Sequence, residues 1–233
     1  MKVEEFKEGK ILIIDKPLHW TSFQAVNKIR WAIRKKFSLK KIKVGHAGTL
    51  DPLATGLLVI CTGKMTKKID QFQAEAKEYT GSITLGQTTP SFDLETEIDS
   101  EFPTDHITES AILETATSFI GITEQKPPLY SAIKKDGVRL YELARKGEQT
   151  EIKSRKIEIF EFEIQKVEFP KVFFRIVCSK GTYIRSIASD FGFRLKSGAH
   201  LSSLRRTKSG NFDLSTAETP ESFVERLNRE ASI

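Results

Sequence analysis

The order of apolar and polar residues breaks the chain into alternating strands and helices, with no internal repeat and no long linker. An apolar run over 10–15 predicts a strand that Pro17 stops. A helix is expected from Thr21, because Thr21 and Gln24 have capping-box spacing and Phe23, Val26, Ile29, Ile33 and Phe37 recur at helical intervals. Residues 57–61 are continuously apolar and read as a short buried strand. Tyr79, Gly81, Ile83 and Leu85 alternate as one face of a strand over 77–86. A helix over 108–119 should end before Gly121. In the strand over 155–167 the apolar phase switches from Ile157 and Ile159 to Phe160, Phe162 and Ile164, which predicts a bulge near Ile159. A neighbouring strand follows at 172–178. Ile184, Ile187, Ala188, Phe191 and Leu195 form a buried helical stripe, and Thr219-Pro220 opens a terminal helix. Strands in hairpin-like succession mixed with helices point to an α+β fold rather than a doubly wound one.

With 233 residues, 39% apolar and 29% charged, the chain can bury a core, so disordered and fibrous classes are excluded. Cys61 and Cys178 end apolar runs and read as reduced core thiols. The charged start predicts no signal peptide, and no apolar run nears the ~20 residues of a membrane span. The expected location is the cytoplasm.

Thirty-seven basic against 31 acidic residues leave a net charge of +6, and its placement matters more than its size. Residues 27–44 hold eight Lys or Arg and no acid, while 171–208 hold nine against Asp190 alone. The acid gathers in 88–115, with eight Asp or Glu and no base. Any one such run is ordinarily a solvated face. If the two basic runs share a surface, they form a footprint for phosphates, with the acidic run pointing away.

Cofactor chemistry finds no support. Gly56 to Lys64 has six residues between its glycines where a phosphate loop needs four, and there is no G-x-G-x-x-G. His19, His46, His106 and His200 lack metal-ligand spacing. What stands out is Gly45-His46-Ala47-Gly48-Thr49-Leu50-Asp51-Pro52-Leu53-Ala54-Thr55-Gly56. Its glycines imply tight turns or a close ligand, and Pro52 stiffens the segment carrying Asp51. Read alone, the loop is more ordinarily an Asp-Pro turn whose side chain bonds its own backbone.

That string resembles the signature of the TruB-type tRNA pseudouridine-55 synthases. Asp15-Lys16-Pro17 with Thr21-Ser22 resembles the family's opening, and Gly63 with Thr66-Lys67 the segment after its signature. Lys77-Glu78-Tyr79 with Leu85-Gly86 resembles its second motif. Pro128-Leu129-Tyr130-Ser131-Ala132 and Leu140-Tyr141-Glu142 resemble its RNA-clamping insertion. Cys178 through Arg185, and Gly198-Ala199-His200 through Leu204-Arg205-Arg206, resemble its closing motifs. The likeness runs in order over about 11–206.

The resemblance implies a pseudouridine synthase fold: a mixed, largely antiparallel sheet flanked by helices, with the insertion at about 127–150. It implies one catalytic domain over 1–233, working as a monomer on the T-arm stem-loop of tRNA without metal or cofactor. Asp51 matches the essential aspartate, for which attack on the sugar, attack on the base and action as a base all remain open. Arg185 matches the arginine that pairs with that aspartate and keeps it ionised. Tyr79 matches the tyrosine stacked on the target base. Tyr183 should line the same pocket, and Leu204 should form its apolar wall. His46 matches the histidine that enters the space the flipped nucleotide leaves. Lys64, Lys67 and the Lys134/Lys135/Arg139 cluster around Asp136-Gly137 would hold the RNA backbone.

Two departures are visible. His19 stands where the family usually has Gly, so the turn there is expected to differ. Only 23 residues follow Gly210, too few for the C-terminal RNA-binding domain many members carry. Two other functions compete: an RNA-binding or RNA-folding module, and a synthase acting on another RNA. The Asp51, Tyr79 and Arg185 set argues against the first, since a binder has no need of a carboxylate facing a polyanion. The short tail weakens a guide-complex version of the second.

Overall fold

Alternating burial shapes β1 (Ile11–Lys16), in which Leu12, Ile14 and Lys16 turn inward while the residues between stay half-exposed. A computed structural model describes residues 1–131, 133–135, 137–145 and 152–229. Two units are distinguished within it, Met1–Tyr79 with Leu204–Ile233, and Thr80–Ser203.

The first unit begins with α1 (Val3–Glu8), which buries Phe6 alone. After β1 comes α2 (Ser22–Lys36), and the expected capping box is present: Gln24 N donates to Thr21 Oγ1, and Thr21 N to Gln24 Oε1. Its buried stripe is Ala25, Val26, Ile29, Ala32 and Ile33. Phe23, expected in that stripe, is 64% exposed. At 3.6 residues per turn it lies roughly 120° around the axis from Ile29, outside the face that packs. β2 (Val44–His46) and β1 both run antiparallel to β3 (Ala54–Thr62), whose apolar residues are buried throughout. A 3-10 turn (Gly63–Lys68) leads into α3 (Ile69–Ala74). Lys77, first residue of β4 (Lys77–Leu85), closes that helix by donating from Nζ to the carbonyls of Phe72, Gln73 and Glu75.

β4 carries the chain into the second unit. Two short strands, β5 (Gln87–Thr88) and β6 (Ser100–Glu101), pair with each other; α4 (Glu109–Thr117) and β7 (Gly121–Gln125) follow. β8 (Lys134–Lys135) and β9 (Val138–Arg139) make a small hairpin before α5 (Leu140–Arg145). β10 (Arg155–Glu168) pairs antiparallel with β7 and with β11 (Lys171–Cys178). The bulge expected near Ile159 is there, between Ile159 and Glu161, and it turns Phe160 outward to 43% exposure. A second irregularity lies between Ile164 and Lys166. α6 (Ile184–Arg194) buries the expected stripe, and Phe119, Phe162, Phe174 and Phe191 interlock as this unit's aromatic core.

β12 (Ala199–Ser209) returns to the first unit and pairs in parallel with β3, Arg206 opposite Gly56. β13 (Phe212–Asp213) and α7 (Pro220–Arg229) end the described chain, and Phe223 and Leu227 of α7 join Ile29, Ile33, Ile14 and Ile60 in the core. The class is α+β with a mixed, mostly antiparallel sheet. Cys61 and Cys178 are buried free thiols, and burial pushes Cys61 up to about 11. Among the described residues no helix is long and apolar enough to cross a membrane.

Candidate active site

Asp51 is half-buried on a loop gripped on both sides. Before it, the buried Ser22 hydroxyl accepts the N–H of Leu50 at 2.8 Å and donates to the Leu50 carbonyl at 3.1 Å. After it, the N–H of His19 donates to the Pro52 carbonyl at 2.8 Å, and that of Ala54 to the Asp51 carbonyl at 3.0 Å. The grip comes from the segment between β1 and α2. Lys16 holds that segment, donating to the carbonyls of Pro17 and Trp20. His19 has φ +65°, the left-handed conformation that glycine adopts without strain and that histidine tolerates better than branched residues do.

Arg206 supports the loop from below. It is 1% exposed and donates from Nε to the Leu57 carbonyl at 2.7 Å and from Nη2 to the Gly48 carbonyl at 3.1 Å. Close pairing explains one glycine: a Cβ on Gly56, at φ +100°, would stand 2.3 Å from the Arg206 carbonyl oxygen. Lys16 is fully buried, and desolvation pulls its ammonium down to about 8. The Asp51 carboxylate opposes that shift, the Arg206 cation adds to it, and Asp15 opposes it weakly. The same two causes, burial first and Arg206 second, lower the pKa of His46, and the Gly48 backbone offsets them in part. The balance disfavours the charged imidazolium at His46.

Leu204 is half-buried opposite Ala54, and its carbonyl accepts from Thr55 Oγ1 at 3.4 Å, so it adjoins the Asp51 loop. Tyr79 is 9% exposed on the inward face of β4. Lys67 is exposed on the 3-10 turn. Lys64 is exposed too, with Nζ on both carboxylate oxygens of Glu8 at 2.9 and 2.8 Å.

In the second unit Arg185, in the first turn of α6, is 4% exposed. Nη1 donates to the Ser91 carbonyl at 3.2 Å, Nη2 to the Tyr130 carbonyl at 2.8 Å, and Nε lies 3.5 Å from Asp93 Oδ2. Asp93 belongs to the acidic run expected to point away from the functional surface, yet it is only 5% exposed. A buried guanidinium beside it is what lets a carboxylate stay there. Tyr183 precedes α6, its backbone held by Gln125 through two hydrogen bonds and its ring 4.4 Å from the Arg155 guanidinium carbon. Of the clamping cluster, Asp136 and the side chains of Lys134, Lys135 and Arg139 lie outside the described residues. So the first unit brings together Asp51, His46 and Leu204, and the second unit places Arg185 and Tyr183 at one helix start.

A sequence profile described as TruB family pseudouridylate synthase (N terminal domain) matches residues 34–184. The chain belongs to the TruB family. It is accordingly an isomerase. It is 61% identical, over 97% of its length and 100% of theirs, to the tRNA pseudouridine synthase B of Flavobacterium johnsoniae. It is 55% identical to that of Phocaeicola vulgatus, over 97% of this chain and 96% of the relative. Among solved structures it is similar to a chain of a Cbf5–Nop10–Gar1 complex, with TM-score 0.72 and 30% identity over 97% of this chain and 56% of that one.

Lys16 and Arg206 in the first unit and Asp93 in the second are buried charges to which sequence reasoning gave no role, although the first two fall inside the family motifs. Lys16 was within reach of it: it continues the inward phase of Leu12 and Ile14, and a lysine in that phase must be buried. For Arg206 and Asp93 no local pattern marks burial.

Proposed function

We propose that this protein converts uridine to pseudouridine in the T-arm loop of tRNA, at position 55, with the whole chain acting as one catalytic domain. Its relatives at 61% and 55% identity carry the name tRNA pseudouridine synthase B, which supports tRNA as the substrate. The N1–C1′ bond breaks, the base turns, and a C5–C1′ bond forms. The C5 proton leaves, N1 ends protonated, and no electrons are gained or lost.

A base inside folded RNA cannot reach Asp51, so the nucleotide is flipped out. Asp51 then supplies the reacting carboxylate. Attack on the sugar, attack on the base and proton abstraction all require a carboxylate fixed to within a fraction of an ångström. The observation that carries the reading is the grip on Leu50 and Pro52, the residues either side of Asp51. Tyr79 stacks on the base, Arg185 keeps the reacting carboxylate ionised, and Tyr183 and Leu204 line the pocket. His46, whose charged form burial disfavours, fills the space the nucleotide vacates. Lys67 and Lys64 hold RNA phosphates; Lys64 exchanges an exposed carboxylate for a phosphate, which costs little.

The test is to incubate unmodified tRNA and an isolated T-arm hairpin with the protein and to map pseudouridine. Modification at position 55 in both, at similar efficiency, is expected. Unmodified tRNA would overturn the reading. A hairpin worse by more than about a hundredfold, roughly 2.7 kcal/mol of transition-state binding, would overturn its restriction to the T-arm.

A further inference from the structure

We propose that the solvent face of α2 is a second RNA-contact surface, on which the tRNA strand leading away from the flipped uridine lies. Its phosphates meet Arg34 and Lys35, and an unpaired base stacks on Phe23 or Trp31. This rests on the reading of the protein as a tRNA-modifying enzyme.

Three observations converge on that face. Phe23 and Trp31 are 64% and 55% exposed, on a helix whose other side supplies Val26, Ile29 and Ile33 to the core. Eight residues apart, they stand about 12 Å apart along the axis and within roughly 80° around it, so one strand can meet both. Next, no Asp or Glu occurs from Thr21 to Val44, while eight Lys or Arg do, so nothing on this element repels a polyanion. Arg34 and Lys35 are exposed beside Trp31, and Lys35 Nζ lies 4.8 Å from the Trp31 ring centroid. Exposed aromatics set among cations are how proteins hold unpaired nucleotides: rings take base faces and cations take the backbone.

Location is the third observation. Ser22, the first residue of α2, holds Leu50, so the face begins at the Asp51 loop. From there to Lys35 it runs about 20 Å, at 1.5 Å per residue. That length accommodates several phosphates of one strand. RNA on this face would continue directly from the reacting nucleotide.

The experiment measures tRNA affinity at several salt concentrations and steady-state pseudouridine formation for Phe23→Ala, Trp31→Ala and the pair Arg34→Ala/Lys35→Ala. At least one aromatic variant should bind tRNA fivefold or more weakly, raising KM while kcat at saturation stays within twofold. The charge pair should make the log–log salt slope shallower by about 2. Urea midpoints equal to wild type confirm that each variant folds. Both aromatic variants binding tRNA as wild type does, with KM unchanged, would overturn the proposal. The same result with a loss of self-association in sedimentation would assign the face to a protein contact instead. A wild type that binds tRNA through this face yet makes no pseudouridine would refute the functional reading and leave this one standing.

Discussion

Two buried arginines, one in each unit, are held in different ways. Arg206 donates to the carbonyls of Leu57 and Gly48, and its charge is felt as repulsion by Lys16 and His46. Arg185 also donates to carbonyls, of Ser91 and Tyr130, but has the Asp93 carboxylate 3.5 Å from Nε. The first arrangement is a brace: a guanidinium whose value lies in reaching two carbonyls at once, one of them in the loop that carries Asp51. In the second, geometry and charge are inseparable, because the cation and Asp93 each make the other's burial tolerable. A substitution that keeps the charge and changes the shape should therefore act differently at the two positions.

Of these two arginines, the larger effect is expected at position 185. Arg185→Lys should lower turnover nearly as far as Arg185→Ala, each by at least about a hundredfold, because an ammonium cannot reproduce a fork that donates to two carbonyls while facing a carboxylate. A near-normal rate for the lysine variant in single-turnover assays would reduce Arg185 to a general positive charge. At position 206 the effect should be smaller and shared with stability. Arg206→Met takes the guanidinium donors from the Leu57 and Gly48 carbonyls and should lower the unfolding free energy by about 2–4 kcal/mol, with kcat down about tenfold and KM little changed. Arg206→Lys, able to reach one of the two, should recover part of both losses. Equal damage from the lysine and methionine variants, in urea unfolding and in kcat, would remove the distinction between the two sites.

The same contrast marks what the chain's pattern revealed. Elements defined by apolar period or by a cap were legible: the Thr21–Gln24 box, the bulge near Ile159 and the stripe of α6 all lie where expected. Phe23 was misplaced because its three-residue spacing from Val26 is helical, yet the buried stripe centres on Ile29. The irregularity between Ile164 and Lys166 left no trace, since the residues there are polar or partly exposed and have no phase to break. α1 is nearly all polar, with a single anchor at Phe6. Of the site, the motif residues were legible through family resemblance. The charged residues that support them were not, because a charge in a sequence looks the same solvated or buried, and only its partners in space distinguish the two.

A smaller effect separates Lys16 from its surroundings. Its ammonium titrates near 8 in the folded chain, against about 10.4 for an unfolded lysine. Below pH 8 both states carry the proton and the penalty of burying it is complete. Between about pH 8 and 10 the unfolded state binds more protons, so wild-type stability should gain on that of Lys16→Met as pH rises. Urea midpoints of the two proteins at pH 7, 8, 9 and 10 should show the difference shifting in favour of wild type above pH 8. A constant difference would mean that Lys16 titrates normally.

The claim that Asp51 is the reacting carboxylate, on a loop gripped by Ser22, His19 and Arg206, is tested most directly by Asp51→Asn. The amide keeps the shape of the side chain and removes its reactive charge. Pseudouridine yield and tRNA affinity should be measured on the same preparation. The account predicts turnover reduced by at least about a thousandfold with affinity within about tenfold of wild type. Pseudouridine formed by the asparagine variant at a rate near that of wild type would contradict it.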